Sequence, residues 1–224
     1  MSTVQRALII GASRGLGLGI ASALHQQGCH VSATRRHVSA STDALPVHWL
    51  SLDITDSAQR EACCQALAHD RFDLILINAG IYGPAHQEPA AITPQAALPL
   101  FLTNTLAPIA MASALLAHLA PQATLAFMTS RLGSLTENPQ AELPFYAASK
   151  AALNMLTRSL HVALADRDVT LLSLHPGWVQ TDLGGQDAPL SIETSVNGLL
   201  AQIARYQGQG GHHFVDYAGT PLAW

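Results

Sequence analysis

Tyr146 and Lys150 are the residues of this sequence whose types and spacing most directly suggest chemistry. They stand four residues apart in a stretch of helical pattern, which places both side chains on one helix face, one turn apart. A free tyrosine has a pKa of about 10 and is a poor acid at neutral pH, but a nearby ammonium group favours the phenolate and lowers that pKa. Taken alone, the spacing also occurs as ordinary helix structure. Because Lys150 is the single lysine of the chain, we favour acid–base catalysis by Tyr146.

A glycine-rich turn is the second feature that suggests chemistry. Residues 11–17 read GASRGLG and join a short apolar run to an amphipathic stretch of helical pattern. Glycines let the backbone turn tightly, and the first turn of the following helix offers free N–H groups to a pyrophosphate. A strand–helix turn without a ligand is the alternative. The placement of the turn favours a dinucleotide site.

Arginines follow the second predicted strand, at the point where such sites select their cofactor. An acidic residue there would hydrogen-bond the 2′-hydroxyl of the adenosine ribose. The chain instead has Arg35 and Arg36, with Arg14 in the glycine-rich turn. Guanidinium groups form charge-assisted bonds with a 2′-phosphate. The pattern favours NADP(H) over NAD(H), and one of Arg35 and Arg36 is expected to be a solvated loop residue.

Strand-like and helix-like patterns alternate along the whole chain. The predicted strands cover 7–10, 30–34, 47–52, 73–78, 124–129, 169–174 and 214–216. The predicted helices cover 15–27, 95–119, 145–165, 193–205 and a stretch from 56 or 57 to 69. This order predicts one domain over residues 1–224. We expect an α/β, three-layer, doubly wound Rossmann fold with a central, mostly parallel seven-stranded sheet. Irregular segments are expected at 35–46 and 132–144, and a mobile flap at 181–191.

Composition excludes several classes of protein. Hydrophobic residues make up 49% and charged residues 12% of the chain, and the net charge is −4. Disordered and nucleic-acid-binding chains show the opposite balance, so no nucleic acid partner is expected. The most apolar stretch, 98–119, is interrupted by polar residues and prolines. We expect it to be a buried helix rather than a membrane span.

Cysteines and histidines indicate neither disulfides nor a metal site. Cys63 and Cys64 are adjacent among three cysteines, which favours a reduced, cytoplasmic setting. The N-terminus lacks the pattern of a signal peptide. His212 and His213 are adjacent, and no third ligand lies at a suitable spacing. No metal is therefore expected.

Taken in order, these motifs resemble those of the short-chain dehydrogenase/reductase family, in its compact single-domain branch. The resemblance rests on GASRGLG at 11–17, Asp53, Asn78-Ala79-Gly80, Asn104, Ser130, Tyr146-x-x-x-Lys150 and Pro176-Gly177 followed by Thr181. A further resemblance, to C-factor-like and sniffer-like carbonyl reductases, rests on SRLGS at 130–134 and on the tail 214–224.

The family resemblance implies a role for each of these residues. Tyr146 would exchange the substrate proton, Lys150 would lower its pKa and hold the nicotinamide ribose, and Ser130 would bind the substrate carbonyl oxygen. Asn104 would position a water in a proton relay. The implied cofactor contacts are Gly11, Ser13, Arg14, Gly15, Leu16, Gly17, Arg35, Arg36, Asp53, Ile54, Asn78, Ala79, Gly80, Tyr146, Lys150, Pro176, Gly177, Val179 and Thr181.

One departure from the family pattern concerns the catalytic serine. Ser130 and Tyr146 are separated by extra residues that fall in the polar segment 137–142. Loop insertions of this kind are easily tolerated. Ser134 is the rival for the serine role. Ser130 is preferred because it directly follows a predicted strand, where its position is fixed.

Two functions remain open at this point. The first is NADPH-dependent hydride transfer between the nicotinamide and a carbonyl or alcohol, and the second is a non-catalytic NADP(H)-binding regulatory or signalling protein on the same fold. The flap carries Asp182 and Asp187 but no lysine or arginine, so neutral small-molecule substrates are favoured over anionic ones. The long helices either bury their apolar faces in their own core or pair as a homodimer or homotetramer. No membrane partner is expected.

Overall fold

A seven-stranded sheet forms the middle layer of the protein, in a computed structural model that describes residues 4–224. Residues 1–3 of the predicted domain lie outside this range. The strands are Arg6–Ile10 (β1), His30–Arg35 (β2), His48–Ser51 (β3), Phe72–Ile77 (β4), Leu119–Met128 (β5), Thr170–His175 (β6) and His212–Asp216 (β7). Their order is β3-β2-β1-β4-β5-β6-β7, and every neighbouring pair is parallel. The predicted fold class is confirmed, with a sheet that is wholly rather than mostly parallel.

Helices cover both faces of the sheet. They are Gly15–Gln26 (α1), Ala40–Asp43 (α2), Ser57–Ala66 (α3), Pro94–Phe101 (α4), Ala107–Ala114 (α5), Pro144–Ala163 (α6) and Ile192–Tyr206 (α7). Single turns of 3₁₀-helix lie at Leu116–His118 and Arg131–Gly133. Crossover connections that contain a helix are what a parallel sheet requires.

Alternation along the strands divides the core into two layers. In β1, Leu8 and Ile10 pack with residues of α3, α5 and α6, whereas Ala7 and Ile9 pack with residues of α1 and α7. All four side chains are fully buried. A strand covered on both faces reads as a continuous apolar run, which is why the sequence shows β1 so clearly.

The predicted helix 95–119 is not one regular α-helix. A π-helical turn, Leu102–Leu106, joins α4 to α5, and Leu119 already belongs to β5. Pro108 has no N–H to donate to the carbonyl of Asn104, four residues earlier, so the α-helical bonding pattern is interrupted there. The sequence contained this proline, but periodicity alone does not report a change of helix type.

The helical run Pro94–Ala114 packs on the sheet and on α6. By length and composition alone its 21 residues, with a mean hydropathy of 1.4 in an 18-residue window, would suffice to cross a membrane. Leu100 and Met111 are nevertheless fully buried within the chain, as expected for a core helix. Leu98 and Leu106 remain exposed on the opposite side.

Packing of α1 on the turn after β1 generates a stability prediction. A Cβ atom on Gly17 would lie 2.2 Å from the carbonyl oxygen of Gly11, so Gly17→Ala must push the helix away from the strand. We expect a loss of about 2 kcal/mol or more in the free energy of unfolding, measured by urea denaturation. Gln26→Ala, at an exposed position of the same helix, should change it by less than about 0.5 kcal/mol. Equal stability of the two variants would contradict the predicted packing.

Candidate active site

The residues singled out by the sequence come together at the carboxyl edge of the sheet. The turn 11–17 follows β1, Asn78 follows β4, Ser130 follows β5 and Pro176 follows β6. Because the strands are parallel, these segments meet at one edge. Strand order reverses between β1 and β4, and ligands of such sheets bind in the crevice at that point.

The glycine-rich turn before α1 is fixed by a hydrogen bond from Asn78. Gly11 has a positive φ of 88°, and its carbonyl accepts a 2.7 Å hydrogen bond from Nδ2 of Asn78. The N-cap residue, Arg14, makes no side-chain capping bond, and the first turn of α1 holds no acidic residue. The free N–H groups therefore fit an anionic pyrophosphate.

The three arginines near this turn differ in how they are held. Arg35 donates to Thr42 at 2.7 Å and to Asp43 at 2.8 Å, and its guanidinium lies 5.0 Å from the centre of the Trp49 ring. These contacts fix Arg35 against α2. Arg36 is exposed and forms no ion pair among residues 4–224. Arg36 is thus the more accessible of the two for a 2′-phosphate.

Arg14 and Asp53 complete the charged groups of the cofactor region. Arg14 pairs with Asp182 at 2.6 Å, and both side chains are exposed, so the pair is weak and open to exchange. Asp53 accepts hydrogen bonds from the backbone and hydroxyl of Thr55, and these bonds lower the pKa of its carboxyl. Ile54, its neighbour, is buried.

Tyr146 and Lys150 lie side by side in the first turns of α6, and both are buried. Their exposed fractions are 9% and 4%. Lys150 Nζ lies 5.8 Å from the centre of the Tyr146 ring and donates a 2.9 Å hydrogen bond to the carbonyl of Met128, the last residue of β5. A Cβ atom on Gly80 would come within 3.5 Å of Nζ. Gly80 of the Asn78-Ala79-Gly80 motif therefore lies next to the ammonium group.

Burial, rather than the charge of Lys150, dominates the pKa of Tyr146. Loss of solvent, the larger cause, and the neighbouring Tyr82 together raise the pKa of Tyr146 to about 12. Loss of solvent also lowers the pKa of Lys150 to about 8. Lys150 donates to the carbonyl of Met128, and burial disfavours its own charge. The lowering of the tyrosine pKa by Lys150 stays a prediction.

Asn104 lies in the π-helical turn and is fully buried. Its side chain accepts from the N–H of Ile81 at 2.8 Å, and it donates to the carbonyl of Ile81 and to the hydroxyl of Ser149. The hydroxyl of Thr105 donates to the carbonyl of Ser149 at 2.8 Å. The π-helical turn is thus bonded to α6 between Tyr146 and Lys150. The water-positioning role of Asn104 stays a prediction.

Ser130 and Ser134 occupy different places in the segment after β5. The hydroxyl oxygen of Ser130 accepts from the N–H of Leu132, and that of Ser134 accepts from the N–H of Glu137. A Cβ atom on Gly133 would lie 2.8 Å from the backbone carbon of Lys150, so this turn rests directly on α6. Ser130 remains at the strand end, whereas Ser134 anchors the extra loop. This arrangement agrees with the preference for Ser130.

The segment after β6 contains the predicted flap 181–191, whose mobility stays a prediction. Gly177 has a positive φ of 81°, and a Cβ atom there would meet Leu190 at 2.3 Å. Val179 is buried and bridges to Leu190, while the Thr181 hydroxyl accepts from the N–H of Gly184. Pro176 accepts through its carbonyl a 2.7 Å bond from Ser195 of α7. Both ends of the flap are therefore fixed.

Aromatic rings flank the tyrosine and the flap. Tyr82 stacks on Tyr146 with 5.9 Å between ring centres and 25° between planes. Trp178 is exposed and donates from its indole N–H to the carbonyl of Gly184 at 2.7 Å. Ser149 and Gln87 were not predicted from the sequence. The side-chain oxygen of Gln87 accepts a hydrogen bond from the N–H of Tyr146. No spacing rule marks a loop glutamine that bonds a distant helix.

Comparisons with known proteins identify the family of this chain. The family profile described as short chain dehydrogenase matches residues 5–189. The C-signal of Myxococcus xanthus is 42% identical over 126 residues, which are 55% of this chain and 76% of that protein.

Solved structures extend the similarity to the whole chain. A carbonyl reductase from Pseudomonas aeruginosa PAO1 in complex with NADP is 40% identical, with a TM-score of 0.91 over 98% of this chain and 99% of that one. The carbonyl reductase Sniffer of D. melanogaster is 32% identical, with a TM-score of 0.87 over 98% and 99% of the two chains. With the profile match and these whole-length similarities, the chain belongs to the short-chain dehydrogenase/reductase family.

Proposed function

We propose that this protein is an NADPH-dependent oxidoreductase that transfers a hydride between the nicotinamide and a carbonyl or alcohol substrate, with Tyr146 as the acid or base. The observation that carries the proposal is the buried pair of Tyr146 and Lys150 at the carboxyl edge of the sheet, where Lys150 bonds the carbonyl of Met128, two residues before Ser130. Such a triad of hydroxyl, phenol and ammonium groups polarises a carbonyl and delivers a proton to its oxygen.

The residues present fit NADP(H). The uncapped start of α1 suits the pyrophosphate, and the exposed Arg36 and Arg14 suit a 2′-phosphate. The residue that ends β2 is basic rather than acidic. The similarity to a carbonyl reductase crystallised with NADP supports the same choice.

The protein's own groups control the proton in this mechanism. NADPH supplies the hydride when it is bound. Ser130 donates its hydroxyl proton in a hydrogen bond to the carbonyl oxygen and thereby draws electron density from the carbon. Tyr146, whose pKa of about 12 keeps the phenol protonated at neutral pH, gives its proton to the same oxygen as negative charge develops there. Lys150 stabilises the phenolate that remains.

The substrate we propose is a neutral carbonyl compound. Tyr82, Trp178 and Leu183 are exposed apolar side chains on the segments that follow β4 and β6. The flap offers Asp182 and Asp187 but no cation, which disfavours anionic substrates. Aromatic and aliphatic walls with few polar groups are typical of sites for small organic molecules.

A non-catalytic NADP(H)-binding regulator is the second candidate. The 42% identity to a protein named C-signal favours it, because the same fold and cofactor would serve a signalling role. Retention of Ser130, Tyr146 and Lys150 together favours the enzyme. Turnover distinguishes the two functions.

We also propose that the protein is cytoplasmic and assembles as a homodimer or homotetramer. Leu98 and Leu106 on the α4–α5 run and Met155 and Val162 on α6 are all exposed. Large apolar side chains on neighbouring helices are the usual signature of a subunit interface.

Tyr146→Phe tests the proposed chemistry. Removal of the hydroxyl takes away the proton donor but leaves the buried ring, so the fold and cofactor binding should be retained. We expect the rate of NADPH oxidation with small aldehydes, ketones and diketones to fall about 10²–10⁴-fold. The affinity for NADPH, measured by titration with NADPH fluorescence as the signal, should be unchanged. Turnover by the variant at the wild-type rate would exclude Tyr146 as the acid, and NADPH binding without turnover by the wild type would favour the regulator.

Arg36→Ala tests the choice of cofactor. Loss of one charge-assisted bond to a 2′-phosphate should raise KM for NADPH about tenfold, at about 1.4 kcal/mol, and leave KM for NADH unchanged. Arg71→Ala is the matched control, because Arg71 is exposed and, within residues 4–224, its side chain donates only to the neighbouring Asp70 carbonyl. An equal rise in KM for both cofactors would argue against contact with the 2′-phosphate.

Lys150→Met tests the burial of the ammonium group through the free energy of unfolding, without a measurement of activity. Lys150 has a pKa lowered from 10.5 to about 8, so its destabilising effect is complete below about pH 8 and fades as pH rises toward the unfolded value. In the cofactor-free protein, the stability gained by Lys150→Met should therefore be larger at pH 7 than at pH 10, by about 2 kcal/mol. Urea denaturation of both proteins at both pH values measures this difference. A pH-independent difference would show that the ammonium is solvated.

A further inference from the structure

The start of α6 lacks the cap that its own sequence would normally provide. The N-cap residue, Leu143, has left-handed backbone angles of φ 49° and ψ 60° and makes no side-chain capping bond. Pro144 has no N–H, but the N–H groups of Phe145 and Tyr146 need acceptors outside the helix. The first turn also lacks an acidic residue. Something else must fix the turn that carries Tyr146.

Gln87 supplies the missing cap from a distant loop. Its side-chain oxygen accepts a 3.1 Å bond from the N–H of Phe145 and a 3.0 Å bond from the N–H of Tyr146. Its side-chain amide group donates to the carbonyl of Pro84 at 3.2 Å. One half-buried side chain therefore joins the loop after β4 to the backbone of the tyrosine that the proposed mechanism needs.

The same loop holds the Tyr146 ring and is itself anchored. Tyr82, five residues before Gln87, stacks on the ring of Tyr146 at 5.9 Å. Ile81, at the base of the loop, exchanges two hydrogen bonds with the side chain of Asn104. The loop is thus fixed to the π-helical turn at one end and to α6 at the other.

We propose that Gln87 is a positioning residue for Tyr146, which holds the first turn of α6 and thereby sets the place of the phenol. The inference rests on the proposed role of Tyr146 as the acid. It follows from two bonds at the backbone of Tyr146 and its neighbour, with the Tyr82 ring as a second restraint on the same residue.

Two substitutions of Gln87 distinguish the effect of its hydrogen-bond-accepting oxygen from the effect of its side-chain size. Gln87→Met keeps the length but removes the acceptor, so kcat with NADPH should fall about tenfold while KM for NADPH stays within about twofold. Gln87→Glu keeps an acceptor oxygen at the helix start, where a carboxylate is favourable, so kcat should stay within about threefold of wild type. Gln65→Ala, at an exposed position of α3, should match the wild type.

Backbone hydrogen exchange supplies a readout that does not need turnover. In Gln87→Met, the amides of Phe145 and Tyr146 should exchange about tenfold or more faster, with the rest of α6 unchanged, and Gln87→Glu should restore their protection. Wild-type exchange in Gln87→Met, or failure of Gln87→Glu to restore protection, would overturn the proposal. A loss of kcat without faster exchange would also overturn it. If the wild type shows no turnover, the proposed function fails, and exchange alone still decides whether Gln87 holds the helix start.

Discussion

The ammonium group of Lys150 lies inside the protein, between α6 and the end of β5, with one hydrogen bond to the carbonyl of Met128. A buried charge with a single partner is unfavourable, and the lowered pKa of this lysine reports that cost. The surrounding structure must therefore hold α6 against the sheet at this point, since any slack would let the lysine turn toward solvent. Several contacts around Lys150 hold α6 against the sheet at this point.

Three features fix the position of α6 relative to the end of β5. Gly133 permits the turn after β5 to touch the backbone of Lys150, where a Cβ atom would collide. Hydrogen bonds from Asn104 and Thr105 reach Ser149, the residue just before the lysine. These two residues belong to the π-helical turn, which exists because Pro108 breaks the α-helical pattern. A helix irregularity, a glycine and a serine thus act together on one lysine.

The sequence predicted the fold and the grouping of the site because both depend on local patterns. Apolar runs mark the strands, and residues that follow parallel strands must meet at one edge of the sheet. Helix ends, the π-helical turn and the cap of α6 depend on contacts between distant segments, and no periodicity reports them. The effect of burial on the pKa of Tyr146 was not predicted for the same reason. Spacing shows that Lys150 is near the ring, but it does not show how little water reaches either group.

Burial acts on both groups of this site, because it raises the pKa of the Tyr146 phenol and lowers the pKa of the Lys150 ammonium group. Tyr146 holds its proton at neutral pH, which is the form that a carbonyl reduction consumes. Oxidation of an alcohol needs the phenolate, so it requires a stronger positive field at the phenol than burial alone allows. Lys150 Nζ lies 5.8 Å from the centre of the Tyr146 ring, so under the proposed mechanism it is the cation placed to offset the effect of burial on the phenolate.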